Sequence, residues 1–294
     1  MAKDTNTKGP TPGADRWKVL GFRPPSGDAV EPAEPILLEY DSGGQVAILT
    51  LNRPHAGNGI TTDMGKRMVE ILRELAARPA VRCIIITGAG NEAFSVGSDL
   101  RLRNNMTNEQ WTQQHNLFDI TQYFVRQLRK PIFAAVNGMT WAGAFELVMS
   151  CDFIIASENA SFGQWESMVG LSAGAGGPVF LPRILPPGKA LQMLMTGESI
   201  TAQEAYRLGM VNEIYPQGEL MPAARRIAQR IAMNSPTAVQ AVKRATRMGM
   251  GLPIEQANLI MLEAHYRTAT SPDRVEGIRA FNENRDPVFK DPDY

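Results

Sequence analysis

A single stretch decides the fold of this chain: residues 131–156, PIFAAVNGMTWAGAFELVMSCDFIIA. It contains two short apolar runs, residues 131–136 and residues 152–156. Runs of this length and composition are typical of strands that are buried on both faces of a parallel sheet. Residues 144–150, between the two runs, predict a helix, and a helix that joins two parallel strands forms a βαβ unit. The stretch therefore predicts an α/β fold.

The sequence that precedes this stretch continues the same pattern. Residues 83–87 form another apolar run and predict a further buried strand. Residues 36–40 and 46–51 flank an Asp-Ser-Gly-Gly turn, so they predict a β-hairpin. Helices are predicted after the hairpin and around residues 109–129. Strands and helices thus alternate through the first half of the chain.

The two ends of the chain differ from this α/β pattern. Thr201 with Glu204 has the sequence of a capping box, and Ser235 followed by Pro236 is typical of a helix start. The N-terminal residues are rich in Pro, Gly and polar side chains, which is typical of a mobile arm. We therefore predict a flexible N-terminal arm over residues 1–33, an α/β core over residues 34–200 and a helical region over residues 201–294.

Composition and charge exclude several classes of protein. Thirty basic residues balance thirty acidic ones, so no net charge attracts nucleic acid or an anionic membrane. No apolar run approaches the roughly 20 residues of a membrane span, and the N-terminus lacks the pattern of a secretory signal. Cys83 and Cys151 lie in apolar sequence and are predicted to be reduced core thiols of a cytoplasmic protein. His55, His115 and His265 lack the spacing of a zinc site.

Two glutamates stand where a parallel sheet places its ligand site, which is beyond the carboxyl ends of the strands. Glu146 lies near the start of the predicted helix 144–150, and Glu166 follows the predicted strand 152–156. The helix runs back along the sheet and the strand runs forward by a similar length, so both acids can face one cavity. Glu146 interrupts an otherwise apolar helix, and burial there would raise its pKa towards neutral pH.

Each of these residues also fits a structural role. A glutamate in the first turn of a helix is favoured by the helix dipole, and Glu166 could be an ordinary acid of a surface loop. A structural and a functional role are likewise both open for Gly97, Ser98 and Gly143. Their backbone N–H groups could stabilise negative charge on a carbonyl oxygen, or the glycines could simply form turns.

Three other motifs suggest different functions. Residues 88–93, GAGNEA, match a relaxed dinucleotide-binding pattern, but no helix is predicted directly after them to receive a pyrophosphate. Residues 174–177, GAGG, lack the Lys-Ser/Thr pair of a P-loop and predict a turn before a helix. Ser98 with a distant histidine could serve a hydrolase, but we identify no Gly-x-Ser-x-Gly elbow in the sequence. A dinucleotide-binding oxidoreductase therefore stays a distant alternative.

Several short motifs are spread along residues 35–290. In the first half they are LNRP (51–54), IITG (85–88), FSVGSDL (94–100), AVNG (135–138) and Glu146-Leu147. In the second half they are FGQ (162–164) with Glu166, LPR (181–183), GMVN (209–212) and PVFK (287–290). As a set they resemble the crotonase (enoyl-CoA hydratase/isomerase) superfamily, of the type with two glutamates.

This resemblance implies a spiral of ββα units with a helical C-terminal trimerisation region, assembled as a homotrimer or a dimer of trimers. It implies an acyl-CoA thioester substrate, with no metal and with no cofactor other than the coenzyme A of the substrate itself. It further implies an oxyanion hole made by the backbone N–H groups of Ser98 and Gly143. Glu146 and Glu166 would be the catalytic residues of an enoyl-CoA hydratase, which adds water syn across a trans-2-enoyl-CoA.

The resemblance also implies which residues bind the substrate, and it leaves alternatives open. The implied residues are Val96, Gly97, Asp99, Trp141, Trp165 and Lys290, the last as a candidate ligand of the coenzyme A phosphates. Trp141 and Trp165 depart from the small residues and the proline that are common at these positions, so they either reshape the acyl pocket or pack as plain core. An isomerase, a thioester hydrolase, a carbon–carbon bond hydrolase and a non-catalytic or RNA-binding paralogue stay as alternatives.

Overall fold

The apolar runs of the sequence form the centre of the fold. The computed structural model describes residues 31–291. The strands are β1 (Ile36–Tyr40), β2 (Val46–Leu51), β3 (Cys83–Gly88), β4 (Ala93–Ser95), β5 (Ile132–Val136), β6 (Met139–Trp141), β7 (Ile154–Ser157), β8 (Ser161–Gly163), β9 (Ile200–Thr201) and β10 (Glu213–Tyr215). The helices are α1 (Thr62–Ala77), α2 (Leu100–Arg103), α3 (Asn108–Gln127), α4 (Gly143–Ser150), α5 (Gly177–Ile184), α6 (Pro187–Thr196), α7 (Ala202–Arg207), α8 (Leu220–Ala232), α9 (Pro236–Gly249), α10 (Ile254–Ala269) and α11 (Pro272–Asn282).

The larger sheet has the strand order β1-β2-β3-β5-β7-β10. Strands β1 and β2 pair antiparallel as a hairpin, and the other pairs in this sheet are parallel. Strands β3 and β5 are buried along their whole length. The reason is that α1, α3 and α4 pack on one face of the sheet and α8 packs on the other. The predicted α/β fold, the hairpin and the buried strands are confirmed.

A smaller sheet, in the order β4-β6-β8-β9, lies beyond the ends of the long strands. Each of β3, β5 and β7 is followed by one short strand of this sheet and then by helical structure, so the implied ββα unit repeats. The turn between β5 and β6 requires Gly138, since a Cβ atom there would lie 2.3 Å from the carbonyl oxygen of Glu92. This close approach brings the loops after the short strands to one end of the molecule.

The C-terminal region contains a strand that the sequence analysis missed. Strand β10 pairs with β7 at the edge of the larger sheet, although only helices were predicted after residue 200. Three residues carry too little periodicity to be read as a strand from sequence. The predicted helix starts are confirmed: Thr201 accepts a hydrogen bond from Glu204 N, and Ser235 accepts one from Ala238 N.

Helix α9 is attached to the sheet by the carboxylate of Asp152. This carboxylate accepts a hydrogen bond from Ile132 N at 2.8 Å and forms ion pairs with Lys243 and Arg247, each at 2.8 Å. Helices α10 and α11 follow and leave large apolar side chains exposed, among them Leu259 and Phe281. Their role in trimerisation stays a prediction.

Residues 1–30 and 292–294 lie outside the described residues, and with them nearly all of the predicted N-terminal arm. Cys83 and Cys151 are free and buried, as predicted for core thiols. Within residues 31–291, no helix combines the length and the apolar character that a membrane span requires. The three-region division and the cytoplasmic location stay predictions.

Candidate active site

A cavity of about 740 Å³ lies beyond the carboxyl ends of β4, β6 and β8. The loops after these three strands contribute Ser98, Gly143 and Glu166 to its wall, and the first turn of α4 contributes Glu146. The structure thus brings together in one cavity the four residues that the sequence analysis selected for chemistry.

Glu146 is the most buried acid of the cavity, with a side chain that is only 2% exposed. Its Oε1 accepts hydrogen bonds from the backbone N–H of Ala175 at 2.9 Å and from that of Gly177 at 2.7 Å. Burial raises the pKa of Glu146, and the nearby charge of Asp119 adds to this rise; the two N–H donors and Arg126 oppose it. The loop 174–177 therefore supplies hydrogen bonds to a carboxylate that is largely withdrawn from bulk water.

The two N–H donors of Glu146 were missed in the sequence analysis, which read residues 174–177 only as a turn. The turn and the following helix are as predicted, since α5 begins at Gly177. A Cβ atom on Gly177 would lie 3.2 Å from Glu146 Oε1 and 2.8 Å from the side chain of Ala173. The glycine therefore allows the backbone to approach the carboxylate closely. The glycine-rich composition of the loop was the one feature of the sequence that could have indicated this approach.

Glu166 begins a short 3-10 helix, Glu166–Val169, and its carboxyl group faces the same cavity. Burial and the negative charge of Glu146 raise the pKa of Glu166 to about 8, against the opposing charge of Arg103. With its amide turned so that Nε2 faces Glu166, Gln164 donates hydrogen bonds to both carboxyl oxygens, at 2.8 and 3.0 Å. A carboxyl group with this pKa carries its proton at neutral pH.

The backbone around Ser98 is fixed by a parallel bridge to Ile60. Ile60 N donates to Gly97 O at 2.8 Å, and Asp99 N donates to Ile60 O at 3.2 Å. In this pattern the N–H of the residue between the two partners points to the opposite side, so Ser98 N–H faces away from Ile60. The N–H of Gly143 belongs to the first turn of α4, where backbone donors lack an intrahelical acceptor.

Two residues with positive φ bring these backbone donors close together. Gly97 has φ +84°, and a Cβ atom on it would lie 3.2 Å from Gly143 N and 3.0 Å from Trp141 O. Ala142 precedes α4 with φ +53°, which is uncommon for a residue with a side chain. Strain of this kind is found where a site requires a particular backbone direction. Here it sets the direction of the peptide that carries Gly143 N–H.

Of the six residues predicted to bind the substrate, Val96, Asp99, Trp141 and Trp165 line the cavity, whereas Gly97 is not one of its lining residues. The carboxylate of Asp99 forms ion pairs with Arg53 at 3.2 Å and Arg101 at 3.1 Å. Burial raises its pKa, but these arginines outweigh burial and the pKa of Asp99 lies below its usual value. The rings of Trp141 and Trp165 stack with their centroids 3.7 Å apart.

Lys290 does not line the cavity. It is exposed, and the neighbouring Phe289 and Asp291 are hydrogen-bonded to Arg82, which directly precedes β3. This is the amino end of the sheet, whereas the cavity is at the opposite end. Within one chain the structure therefore separates Lys290 from the other predicted site residues, and its role as a phosphate ligand stays a prediction.

The cavity wall also contains residues that were not found from sequence, among them Arg103 of α2 and Trp111, His115 and Phe118 of α3. Helix α2 is too short to show a periodic pattern, and α3 was read only as a helix. Their side chains reach the cavity because α3 packs against α4. No motif in the sequence carries this information.

The rival motifs do not form the sites that their patterns suggest. Residues 88–93 lead from β3 into β4, so the helix N-terminus that a dinucleotide-binding motif requires does not follow them. A Gly-x-Ser-x-Gly pattern does occur at residues 170–174, which the sequence analysis overlooked. It follows the 3-10 helix Glu166–Val169, whereas a nucleophile elbow follows a strand. Among the described residues, no group of three His, Cys, Asp or Glu side chains could hold a metal ion.

Comparisons with known proteins agree with the fold and with these motifs. Residues 41–292 match the enoyl-CoA hydratase/isomerase family. Crotonyl-CoA hydratase from Syntrophomonas wolfei is 36% identical over 256 residues, which cover 87% of this chain and 98% of that protein. Carnitinyl-CoA dehydratase from Escherichia coli K12 is 37% identical over 258 residues, which cover 86% of this chain and 98% of that protein.

The crystal structure of an enoyl-CoA hydratase from Bacillus anthracis superimposes with a TM-score of 0.85 and 34% identity, over 88% of this chain and 100% of that chain. The chain therefore belongs to the enoyl-CoA hydratase/isomerase family of the crotonase superfamily.

Proposed function

We propose that this protein is an enoyl-CoA hydratase that adds water syn across the double bond of a trans-2-enoyl-CoA. The observation that carries the proposal is the presence of two glutamates, Glu146 and Glu166, in one cavity with the backbone donors of Ser98 and Gly143. Relatives named as hydratases of crotonyl-CoA and of short-chain enoyl-CoA support the same activity.

In the proposed complex, the thioester oxygen accepts hydrogen bonds from Ser98 N–H and Gly143 N–H. Water attack at the β-carbon moves electron density through the α-carbon onto this oxygen, which gains enolate character. Two fixed donors, one at the N-terminus of α4, stabilise that charge without reorganisation. Gly97 and Ala142 serve this arrangement through the backbone alone.

Glu146 is proposed as the base and Glu166 as the acid. Glu146 takes a proton from the attacking water. Its two backbone donors favour the ionised form of its carboxyl group, and its raised pKa makes it a stronger base. Glu166, with its pKa raised to about 8, is protonated at neutral pH and supplies the proton that adds to the α-carbon. One proton enters the pair and one leaves it, so the two acids carry a single proton before and after turnover.

The proposal also covers the cofactor requirement, the oligomeric state and the location of the protein. Hydration transfers no electrons to or from an external carrier, so no redox cofactor is needed, and coenzyme A arrives as part of the substrate. A homotrimer or a dimer of trimers would cover exposed apolar side chains of α9, α10 and α11, such as Val242, Leu259 and Phe281. We also propose that the protein acts in the cytoplasm.

The first test follows the loss of the enoyl-thioester ultraviolet absorbance with crotonyl-CoA and with cinnamoyl-CoA. We expect turnover by the wild type, and a loss of kcat of about 100-fold or more in both Glu146→Gln and Glu166→Gln. Glu109→Gln is the matched control, since Glu109 is also in the first turn of a helix but is exposed. Binding of crotonyl-CoA without hydration would contradict the proposal, and turnover of a 3-enoyl-CoA instead would identify an isomerase.

The pH dependence tests the assignment of acid and base. The acid form of Glu166 predominates below its raised pKa of about 8 and is lost as the pH increases through that value. The ratio kcat/KM for hydration should therefore fall by about tenfold for each pH unit above this pKa. A hydration rate that stays constant or increases between pH 7 and pH 9.5 would rule out Glu166 as the acid.

A third test concerns the loop that solvates Glu146. In Gly177→Ala, the new methyl group would crowd Glu146 Oε1 and Ala173, so we expect kcat/KM to fall by about tenfold or more. Gly188→Ala is the control, because a Cβ atom on Gly188, near the start of α6, meets no atom within 4 Å. Equal activity of the two variants, at equal thermal stability, would show that the loop does not position the base.

A further inference from the structure

Arg103 lines the cavity, and the proposed hydration does not use its charge. It ends α2, and its Nε donates to Gln114 Oε1 at 2.6 Å; Gln114 in turn donates to Thr62 at 2.9 Å. The guanidinium carbon lies 5.3 Å from the centroid of the Trp111 ring and 5.7 Å from that of Phe118. The side chain is therefore held in place on three sides within the cavity wall.

The charge of Arg103 lacks a protein counter-ion among residues 31–291. Asp99 is engaged by two other arginines, and the carboxylate of Glu146 accepts its hydrogen bonds from backbone N–H groups. Glu166 attracts Arg103 electrostatically but forms no ion pair with it. Burial lowers the pKa of Arg103 and outweighs this attraction, so its surroundings disfavour a charge that no ion pair within residues 31–291 balances. A desolvated cation normally has an anionic partner.

The position of Arg103 assigns it to the acyl end of the substrate. The Phe118 ring, which packs beside the guanidinium, would lie 3.5 Å from a Cβ atom placed on Gly143. Gly143 N–H is a proposed ligand of the thioester oxygen, and Glu166 is the proposed donor to the α-carbon. An anion bound by Arg103 would therefore belong to the acyl group, near the reacting carbons, rather than to the phosphates of coenzyme A.

We propose that Arg103 binds a free carboxylate at the far end of the acyl group, so that the preferred substrates are mono-CoA thioesters of unsaturated dicarboxylic acids. The hydration of such substrates rests on the proposed function, whereas their binding by Arg103 does not. A guanidinium presents paired N–H donors that match the two oxygens of a carboxylate. Because Nε is held by Gln114, the two Nη groups remain for the ligand.

The test is equilibrium binding by isothermal titration calorimetry, which needs no turnover. The ligands are saturated dicarboxylic acyl-CoA thioesters with four to six acyl carbons, each compared with the unbranched fatty acyl-CoA of equal carbon number. We expect one dicarboxylic thioester to bind at least tenfold more tightly than its partner, and Arg103→Gln to reduce that ratio to about one. Arg101→Gln, which removes an equal charge from the same helix, should keep the ratio.

Several results would overturn the inference. These are an equal affinity for both members of every pair, a preference that persists in Arg103→Gln, or a preference that is lost equally in Arg101→Gln. Tighter binding of carnitinyl-CoA, whose acyl group ends in a cation, would also overturn it, since the aromatic rings would then be the recognition element. Failure of hydration with an intact binding preference would instead contradict the proposed function alone.

Discussion

The carboxylate of Glu146 is buried beneath the sheet ends and accepts hydrogen bonds from two backbone N–H groups of the loop 174–177. An ion in this position is costly unless fixed donors replace the water it loses. The fold supplies them because α5 begins at Gly177, where the absence of a side chain lets the backbone approach the acid. The charge of Glu146, and with it the proposed chemistry of the two glutamates, depends on this one interaction.

The charge on Glu146 also affects its neighbour. Burial and this charge raise the pKa of Glu166 to about 8, so the two chemically equal side chains suit the opposite roles of base and acid that we propose. Arg103, in the wall of the same cavity, interacts electrostatically with Glu166 but does not form an ion pair with it. Differences in solvation, rather than in residue type, thus organise the site, and a substrate carboxylate would complete its charge balance.

Much of this arrangement could be predicted from the sequence. The apolar runs that became β3, β5 and β7 fix the parallel sheet, and the lengths of α4 and β7 predict that Glu146 and Glu166 converge. The donors Ala175 and Gly177 were not predicted, because hydrogen bonds between residues about 30 positions apart leave no local pattern. Arg103 was missed for a similar reason: a four-residue helix has no periodicity, and the packing of α3 decides its surroundings.

The most direct test of the proposed site is a crystal structure of the protein with 3-hydroxybutanoyl-CoA, the product of crotonyl-CoA hydration. We predict that the thioester oxygen lies about 2.7–3.1 Å from both Ser98 N and Gly143 N. The hydroxyl group on the β-carbon should lie between the carboxyl groups of Glu146 and Glu166. A thioester oxygen bound elsewhere in the cavity, or a hydroxyl group that contacts neither glutamate, would contradict the assignment of this cavity as a hydratase site.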